Sequence, residues 1–414
     1  MPAKQQDVLV IGDDTRSFLA IVRSLGRKGL RVHVAPFDPD APALTSRYVA
    51  EKIVLPDLSR DLDAWCDSLR AHLEATRFAL VIPCCDRSIL AIDSRRDAFN
   101  GTTIALPSPS AISWLFDKHR TRRLAGRLGV SVASGDVVSK VESAASAIER
   151  FGLPLVLKPR HSYTLRSLDR RGSVEILRDA NELSRALQDI SDPDGHIIEA
   201  FVPGVGVGVS VLATSGRILV AFQHRRIHEP YSGGGSSLRV SEALDSELMT
   251  AVARIVGHLG FTGLAMFEFR LNPTTRDWVL LEINARPWGS MPLPLALGVD
   301  FPGALYDLLV EGREAQQPAY RIGVRGRNAL INAYDILIRT SEEGAGSALR
   351  TAGSLANFAF QPVGWITGKE FSDTFVWDDV EPGFRELLAI PSLVRRRSSG
   401  SAALPGLPKA DRKL

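Results

Sequence analysis

Residues 263–290 read GLAMFEFRLNPTTRDWVLLEINARPWGS, and this stretch decides the predicted fold. Two apolar, β-prone runs flank the polar loop at 272–277, which is typical of a β-hairpin. Antiparallel pairing places Glu268 opposite the neighbourhood of Glu282, and Asn284 shares a face with Glu282 because side chains alternate along a strand. Three oxygen-bearing side chains are therefore expected to converge.

The two glutamates predict a divalent cation site. Glu268 lies within AMFEF and Glu282 within VLLEI, so each carboxylate has apolar neighbours on both sides. Two carboxylates on adjacent strands repel each other and are costly to bury together without a cation. Mg²⁺ prefers a few carboxylate oxygens and takes its other ligands from water and phosphates, and Mn²⁺ accepts similar ligands. A surface hairpin with solvated glutamates is the alternative interpretation.

Glu268 is followed, after about a dozen residues, by LEINARPWGS. This pattern resembles the metal-binding signature of the ATP-grasp superfamily. The resemblance is greatest to its carboxylate-amine ligases and carbamoyl-phosphate-synthetase-like members. It implies that Glu268, Glu282 and Asn284 bind Mg²⁺ or Mn²⁺ beside ATP. Arg286 continues the same face with a planar guanidinium, and the resemblance implies that it stabilises a developing acyl phosphate.

Two lysines stand where the resemblance requires them. Lys118 follows Asp117 in the first half of a predicted helix, and Lys158 ends an apolar run just before Pro159. Proline stops strand pairing, so the Lys158 ammonium is expected at a strand end. Either lysine alone is most simply a solvated charge. In ATP-grasp proteins both contact nucleotide phosphates, and Lys158 would also act in catalysis.

The segment after Lys158 departs from the family pattern. Many relatives have a glycine-rich phosphate loop here, whereas residues 160–172 read RHSYTLRSLDRRG. Backbone amides approach phosphate less closely without glycines, so we expect side chains such as that of Arg160 to bind phosphate instead. The departure leaves open a protein that binds ATP without turnover.

The resemblance assigns the adenine site to residues 197–203. Glu199 would accept a hydrogen bond from the adenine amino group, and the backbone near Phe201 and Val202 would bind the ring edge. A ribose-binding glutamate of many relatives has no counterpart, because the chain reads VGVGVSV at that place. This alternation is equally compatible with a strand that packs closely on a neighbour.

A basic cluster at 224–228, HRRIH, precedes the glycine-rich residues 232–237, SGGGSS. A mobile surface hairpin is one interpretation, and a cradle for a substrate carboxylate or acyl phosphate is the other. The family resemblance favours the cradle. We therefore expect Arg225 to act on the substrate.

The amino-terminal residues predict a doubly wound parallel α/β domain. Residues 7–35 alternate strand, helix and strand, which is a βαβ unit. Its turn, IGDDTRS, has a single glycine and is not a dinucleotide fingerprint, so Asp13 and Asp14 are expected to cap the helix. The CCDR turn at 84–87 either faces the substrate or caps another helix.

In ATP-grasp proteins a small α/β domain precedes a two-lobed α+β nucleotide-binding domain. We therefore predict an α/β chain of four parts, which are an N-terminal pre-ATP-grasp domain at 1–110, an ATP-grasp domain at 111–312 with lobes at about 111–192 and 193–312, a C-terminal accessory segment at 313–391, and a basic disordered tail at 392–414.

Composition excludes several classes of protein. The 414 residues are 45% hydrophobic and 23% charged, which is typical of a globular chain. No run of 18 apolar residues and no signal peptide occur, so we expect a cytoplasmic protein without an integral membrane segment. The net charge of the chain is +3, but residues 392–414 alone carry +5, which leaves 3 − 5 = −2 for the rest, so a nucleic-acid partner is not expected. Three cysteines without zinc-ligand spacing argue against disulfides and structural zinc.

The predicted function follows from the resemblance. It is an ATP-dependent carboxylate-amine ligase that forms an amide through an acyl phosphate and releases ADP and phosphate. Its partners would be a small carboxylate and an amine, amino acids among them, and a homodimer is compatible with the prediction. Two alternatives stay open, a carboxylate kinase or carbamoyl-phosphate-like activator without an amine acceptor, and a catalytically silent ATP-binding protein.

Overall fold

The computed structural model describes five stretches of the chain, which are residues 6–139, 142–169, 172–229, 236–332 and 361–388. The predicted tail at 392–414 lies outside the described residues, as does most of the glycine-rich segment at 232–237. In the described part of the chain, no helix has the length and apolar character to cross a membrane.

The strands are β1 (Asp7–Ile11), β2 (Arg31–Ala35), β3 (Val49–Lys52), β4 (Leu80–Pro83), β5 (Gly135–Val137), β6 (Leu155–Pro159), β7 (Glu175–Leu177), β8 (His196–Ala200), β9 (Val205–Thr214), β10 (Arg217–His228), β11 (Leu238–Glu242), β12 (Gly263–Leu271), β13 (Trp278–Asn284), β14 (Arg325–Arg327) and β15 (Glu370–Ser372). The helices are α1 (Ser17–Arg27), α2 (Leu62–Ala75), α3 (Asp86–Ser94), α4 (Pro109–Leu115), α5 (Lys118–Arg127), α6 (Ala144–Phe151), α7 (Ala180–Asp189), α8 (Ser246–His258), α9 (Pro292–Ala296), α10 (Phe301–Val310) and α11 (Gln361–Ile366). Residues 381–388 are also helical.

The amino-terminal domain is a parallel four-stranded sheet with the order β3-β2-β1-β4. Helix α1 packs on one face, while α2 and α3 pack on the other. Both faces are therefore buried, which is why the strands read as continuous apolar runs. The doubly wound fold predicted from the sequence is confirmed.

Asp14 caps α1 by accepting from Ser17 N at 2.6 Å, whereas Asp13 accepts from Phe37 N at 3.0 Å and does not cap the helix.

The central sheet has seven strands in the order β13-β12-β9-β10-β11-β14-β15. Its neighbours are antiparallel except for β14 and β15, which are parallel. Helices α4, α5 and α8 cover one face. The other face shares a single hydrophobic core with α1, α9 and α10. Shared burial of this kind fixes the amino-terminal domain against the sheet.

A smaller antiparallel sheet, β5-β8-β6-β7, is covered by α6 and α7. Strand β8 belongs to it, because residues 197–200 pair with β5 and β6. The predicted lobe boundary at 192–193 therefore comes too early along the chain. Helices α4 and α5 were predicted to belong to the first lobe, because they lie within 111–192. They pack instead in the core of the central sheet.

Part of the predicted accessory segment completes the central sheet. Strand β14 pairs with β11, and β15 pairs with β14. An open edge at β11 would expose unpaired backbone groups, and these two short strands cover it.

Acidic residues after β15 tie the amino-terminal domain to the central sheet. Asp379 accepts from Arg23 Nε at 2.8 Å and from Ser46 Oγ at 2.7 Å. Asp373 pairs with Arg239 of β11, and each exposes 1% of its side chain. Buried charges persist only when paired, so this segment must stay in place for both basic residues to remain satisfied.

The Arg23–Asp379 pair gives a first prediction. Arg23 and Asp379 expose 3% and 1% of their side chains, so Asp379→Ala leaves a buried, unpaired guanidinium. We expect the free energy of unfolding in urea to fall by about 3–5 kcal/mol. The control is Asp378→Ala, because the Arg27–Asp378 pair is more than one third exposed and exposed pairs contribute less than about 1 kcal/mol. Equal effects of the two substitutions would contradict the prediction.

The cysteines give a second prediction. Burial raises the pKa of Cys66 to about 11, and burial also raises the pKa of Cys84 well above its usual value. At pH 8 the Cys66 thiolate fraction should be roughly a hundredfold below that of an ordinary thiol. The unfolded chain loses the Cys66 proton near the ordinary thiol pKa and the folded chain only near pH 11, so the contribution of Cys66 to stability declines between those values.

The measurement is iodoacetamide labelling at pH 8, resolved by residue with mass spectrometry. Cys66 and Cys84 should label far more slowly in the folded protein than in guanidinium chloride. Labelling of Cys66 at the unfolded rate would show that its thiol is not shielded.

Candidate nucleotide and metal site

The β12–β13 hairpin brings two carboxylates and an amide together. Glu268 and Glu282 are direct cross-strand partners, and a bulge follows Glu268 in the register. Asn284 Nδ2 donates to Glu282 Oε1 at 3.1 Å and lies 3.5 Å from Glu268 Oε1. Glu282 and Asn284 line a cleft, and Ile283 between them both lines that cleft and belongs to the core under α4, α5 and α8.

Two facing carboxylates need nearby positive charge, and the structure supplies a guanidinium. Arg226 of β10 donates from Nη2 to Glu268 Oε2 at 2.5 Å. Burial acts to lower the pKa of Arg226, but Glu268 and Glu229 outweigh it and raise that pKa. Two carboxylates and an amide fit a hard cation. Asn284 would bind a cation through Oδ1, which requires rotation of its amide group from the arrangement seen.

Glycines in β9 make the Arg226 contact possible. A Cβ at Gly206 would lie 2.6 Å from Arg226 Cδ, and one at Gly208 would lie 2.3 Å from His224 Cε1. Both side chains of β10 therefore lie across β9, toward β12. The VGVGV alternation is the signature of this close approach.

The structure corrects the role expected for Arg225. Adjacent residues of a strand face opposite sides, and Arg225 donates from Nε to Glu242 Oε1 at 2.6 Å. Its cross-strand partner on β9, Val207, belongs to the core under α8. Arg226, one residue later, is the member of the cluster that reaches the carboxylates.

Arg286 connects the hairpin with the amino-terminal domain. Its Nε donates to Asp86 Oδ1 at 2.9 Å, and its Nη2 donates to Asn284 Oδ1 at 2.9 Å. Burial acts to lower the pKa of Arg286, but Asp86 outweighs it and raises that pKa above its usual value. Asp86 begins α3, directly after Cys85 at the helix N-cap. The CCDR turn therefore both caps a helix and supplies a side chain to the cleft.

The two predicted phosphate lysines lie at the end of β6. Lys118, the first residue of α5, donates from Nζ to Pro159 O at 3.2 Å and to Ser162 Oγ at 3.1 Å. Lys158 is buried and donates from Nζ to Glu199 Oε1 at 2.6 Å. Both ammonium groups therefore already have oxygen partners within the protein.

Arg122 is a site residue that sequence reasoning missed. It is buried on α5 and donates to Glu199 Oε2, the oxygen that Lys158 does not use. The available signal was its position four residues after Lys118, which places both on one helix face.

The predicted adenine-binding groups have partners of their own. Each oxygen of Glu199 accepts from a basic side chain, and Phe201 N donates to Pro154 O at 3.0 Å. Val202 follows directly and is partly buried. A carboxylate oxygen has a second lone pair, so Glu199 could still accept from adenine. The adenine roles of these three residues stay predictions.

Arg160 contacts protein and not the cleft. Its Nε and Nη2 donate to Asp117 Oδ2 at 2.9 and 2.6 Å. Asp117 also accepts from His119 N and so caps α5. Burial acts to raise the pKa of Asp117, but Arg160 and the helix amides outweigh it and lower that pKa. Arg160 thus holds the residue that caps the helix of Lys118, and its phosphate contact stays a prediction.

Some of the candidate residues border one cleft of about 480 Å³ that is open to solvent. Its walls include Asp86, Lys118, Ser162, Tyr163, Glu282 and Asn284. The glycine-poor segment after Lys158 closes one side, because Leu168 is buried in the amino-terminal core and Tyr163 packs against the same core. Apolar packing of Leu168 and Tyr163 therefore positions this glycine-poor segment.

Comparisons with known proteins identify a related family model, related sequences and related folds. A family model described as "ATP-grasp in the biosynthetic pathway with Ter operon" matches residues 193–329. A D-alanine–D-alanine ligase of Pseudomonas putida (strain GB-1) is 26% identical over 211 residues, which cover 47% of this chain and 64% of the relative. The chain thus matches less than two thirds of that relative's length.

Two solved structures share the fold. An L-amino acid ligase from Bacillus licheniformis superposes with a TM-score of 0.57 at 20% identity, over 78% of this chain and 78% of that one. N5-carboxyaminoimidazole synthetase from Staphylococcus aureus, complexed with ADP, gives a TM-score of 0.60 at 17% identity, over 76% of this chain and 80% of that one. The two structures show that this chain shares the fold of these ligases, and the family model shows that residues 193–329 resemble an ATP-grasp family.

Proposed function

We propose that the protein is an ATP-dependent ligase that joins a small carboxylate to an amine and releases ADP and phosphate. The observation that carries the proposal is the pairing of Glu268 with Glu282 across the hairpin, with Asn284 on both carboxylates. Glu282 and Asn284 share their cleft with Lys118. A cation site beside a phosphate-binding ammonium is the arrangement that phosphoryl transfer requires.

The donor groups fit Mg²⁺, which Glu268, Glu282 and Asn284 would hold and which would neutralise charge on phosphate oxygens. Lys118 lies on the same cleft and would bind the phosphates as a compact cation. Lys158, fixed by Glu199, would add positive charge at the end of β6. Arg286 is held at Nε by Asp86, a contact that does not depend on Asn284, so its orientation is set before a substrate arrives.

Arg286 is the residue we assign to the acyl phosphate. Its guanidinium lies between Asp86 and Asn284, on the border between the amino-terminal domain and the hairpin. A positioned guanidinium stabilises charge that develops on phosphoryl oxygens. The carboxylate of the substrate would then be activated by transfer of the γ-phosphoryl group, and attack by the amine would release phosphate.

The relatives support small substrates. The names of two of them specify D-alanine–D-alanine ligation and L-amino acid ligation. We infer that this chain also joins a small acid to a small amine, and amino acids are the first class of substrate to test. A cytoplasmic location, a homodimer and Mn²⁺ in place of Mg²⁺ are retained as predictions from the sequence.

The metal assignment is tested with Glu282→Gln. Loss of one carboxylate charge should lower ATP turnover by about a hundredfold or more, because cation binding contributes several kcal/mol. Mg²⁺-dependent ATP binding should be lost while the circular dichroism spectrum is unchanged. The control is Glu247→Gln on α8, which contacts Trp278 Nε1 on the hairpin, away from the cleft. Wild-type turnover in Glu282→Gln would refute the assignment.

The reaction type is tested by ADP formation across a panel of carboxylates, with and without amines. A ligase forms an amide when both substrates are present and a hydroxamate when hydroxylamine replaces the amine. Hydroxamate without any amide would indicate a carboxylate kinase. Mg-ATP binding without carboxylate-stimulated ADP formation would indicate a protein that binds the nucleotide only.

A further inference from the structure

Arg226 has no role in the function proposed above, although it contacts a metal-ligand candidate. Its Nη2 lies 2.5 Å from Glu268 Oε2, and the two side chains expose 15% and 16% of their surface. A guanidinium held this closely to a partly buried carboxylate neutralises much of its charge.

The path of the Arg226 side chain depends on the glycine at position 206. Arg226 starts on β10 and reaches Glu268 on β12, so it crosses the intervening strand β9. A Cβ at Gly206 would come within 2.6 Å of Arg226 Cδ. The same Cβ would lie 2.5 Å from Glu229 Oε1, so any larger residue at this position would displace both Arg226 and Glu229 while leaving their charges in the protein.

A second carboxylate lies within reach of the same guanidinium. Arg226 Nη1 is 3.6 Å from Glu229 Oε1, and Glu229 also accepts from Arg270 Nη1 at 2.9 Å. The guanidinium therefore has an anionic partner that stays available if it leaves Glu268. Movement between two such partners costs less than exposure of an unpaired buried charge.

We propose that Arg226 is an internal counter-ion of the metal site, which competes with a divalent cation for Glu268. The inference rests on the proposed function, because it assumes that Glu268 and Glu282 bind the cation. Both the guanidinium and a divalent cation neutralise the same carboxylate, so each weakens the binding of the other. A bound cation would then leave Arg226 to Glu229, and the phosphates of a nucleotide would be a further anionic partner for its guanidinium.

The competition couples the two ligands of the site. A nucleotide phosphate that attracts Arg226 removes the competitor, so the nucleotide strengthens cation binding. By linkage the cation strengthens nucleotide binding by the same factor. The cation alone is therefore held weakly, and the cation with its nucleotide is held tightly.

The experiment measures Mn²⁺ binding by the loss of its free electron paramagnetic resonance signal, with and without ADP. Arg226→Met removes the charge, and Gly206→Ala displaces the side chain at constant charge. Without ADP, we expect each variant to bind Mn²⁺ about tenfold more tightly than the wild type, within the usual range of such couplings. The gain in Mn²⁺ affinity upon adding ADP should shrink correspondingly.

The control is Arg217→Met, which removes an exposed arginine from the far end of the same strand, where it pairs with Glu314. It should match the wild type in both measurements. Unchanged or weaker Mn²⁺ binding by both site variants would overturn the inference. Tighter binding by Arg226→Met with no change in Gly206→Ala would overturn it as well, since charge removal alone would then explain the result.

Glu282→Gln separates this inference from the proposed function. If that variant binds Mn²⁺ like the wild type, the metal site itself is wrong and the inference falls with it. If it loses Mn²⁺ while Arg226→Met and Gly206→Ala bind like the wild type, the metal site stands and the counter-ion role is refuted.

Discussion

The carboxylates of Glu268 and Glu282 repel each other, and the site depends on the positive charge that offsets this repulsion. Their strands are paired so that the two carboxylates face each other, and apolar neighbours enclose them in the sequence. Such an arrangement is stable only if positive charge is supplied. Asn284 and Arg226 contribute donors within the protein, and a divalent cation is the further partner that we propose.

The rest of the fold holds the β12–β13 hairpin in place. The central sheet shares a core with α1, α9 and α10, and Arg286 is held between Asp86 of the amino-terminal domain and Asn284 of the hairpin. Residues after β15 add buried ion pairs to both domains. A site assembled from several parts of the chain keeps its geometry only if those parts are fixed relative to one another.

Patterns within short segments predicted much of the fold and part of the site. The hairpin, the βαβ opening and the strand-terminal Lys158 depend on alternation and on nearby proline or glycine, which are visible in the sequence. The resemblance added Lys118 and the adenine segment. These features are local, so they needed no knowledge of tertiary contacts.

Features set by long-range contacts could not be predicted. Whether Arg225 or Arg226 faces the carboxylates depends on the register of β10 between its neighbours. Glu199 pairs with Arg122 on α5, and Arg160 pairs with Asp117 at the N-cap of α5. Both partners lie tens of residues earlier in the chain. Strands β14 and β15 are three residues each, too short for a periodic signal, and join the sheet because β11 has an edge to cover.

The central claim is tested most directly by anomalous diffraction from crystals grown with Mn²⁺ and ADP. The account predicts one strong manganese peak within coordination distance of the Glu268 and Glu282 carboxylates, with Asn284 Oδ1 turned toward it. A manganese peak elsewhere, beside clearly bound ADP, would contradict the account.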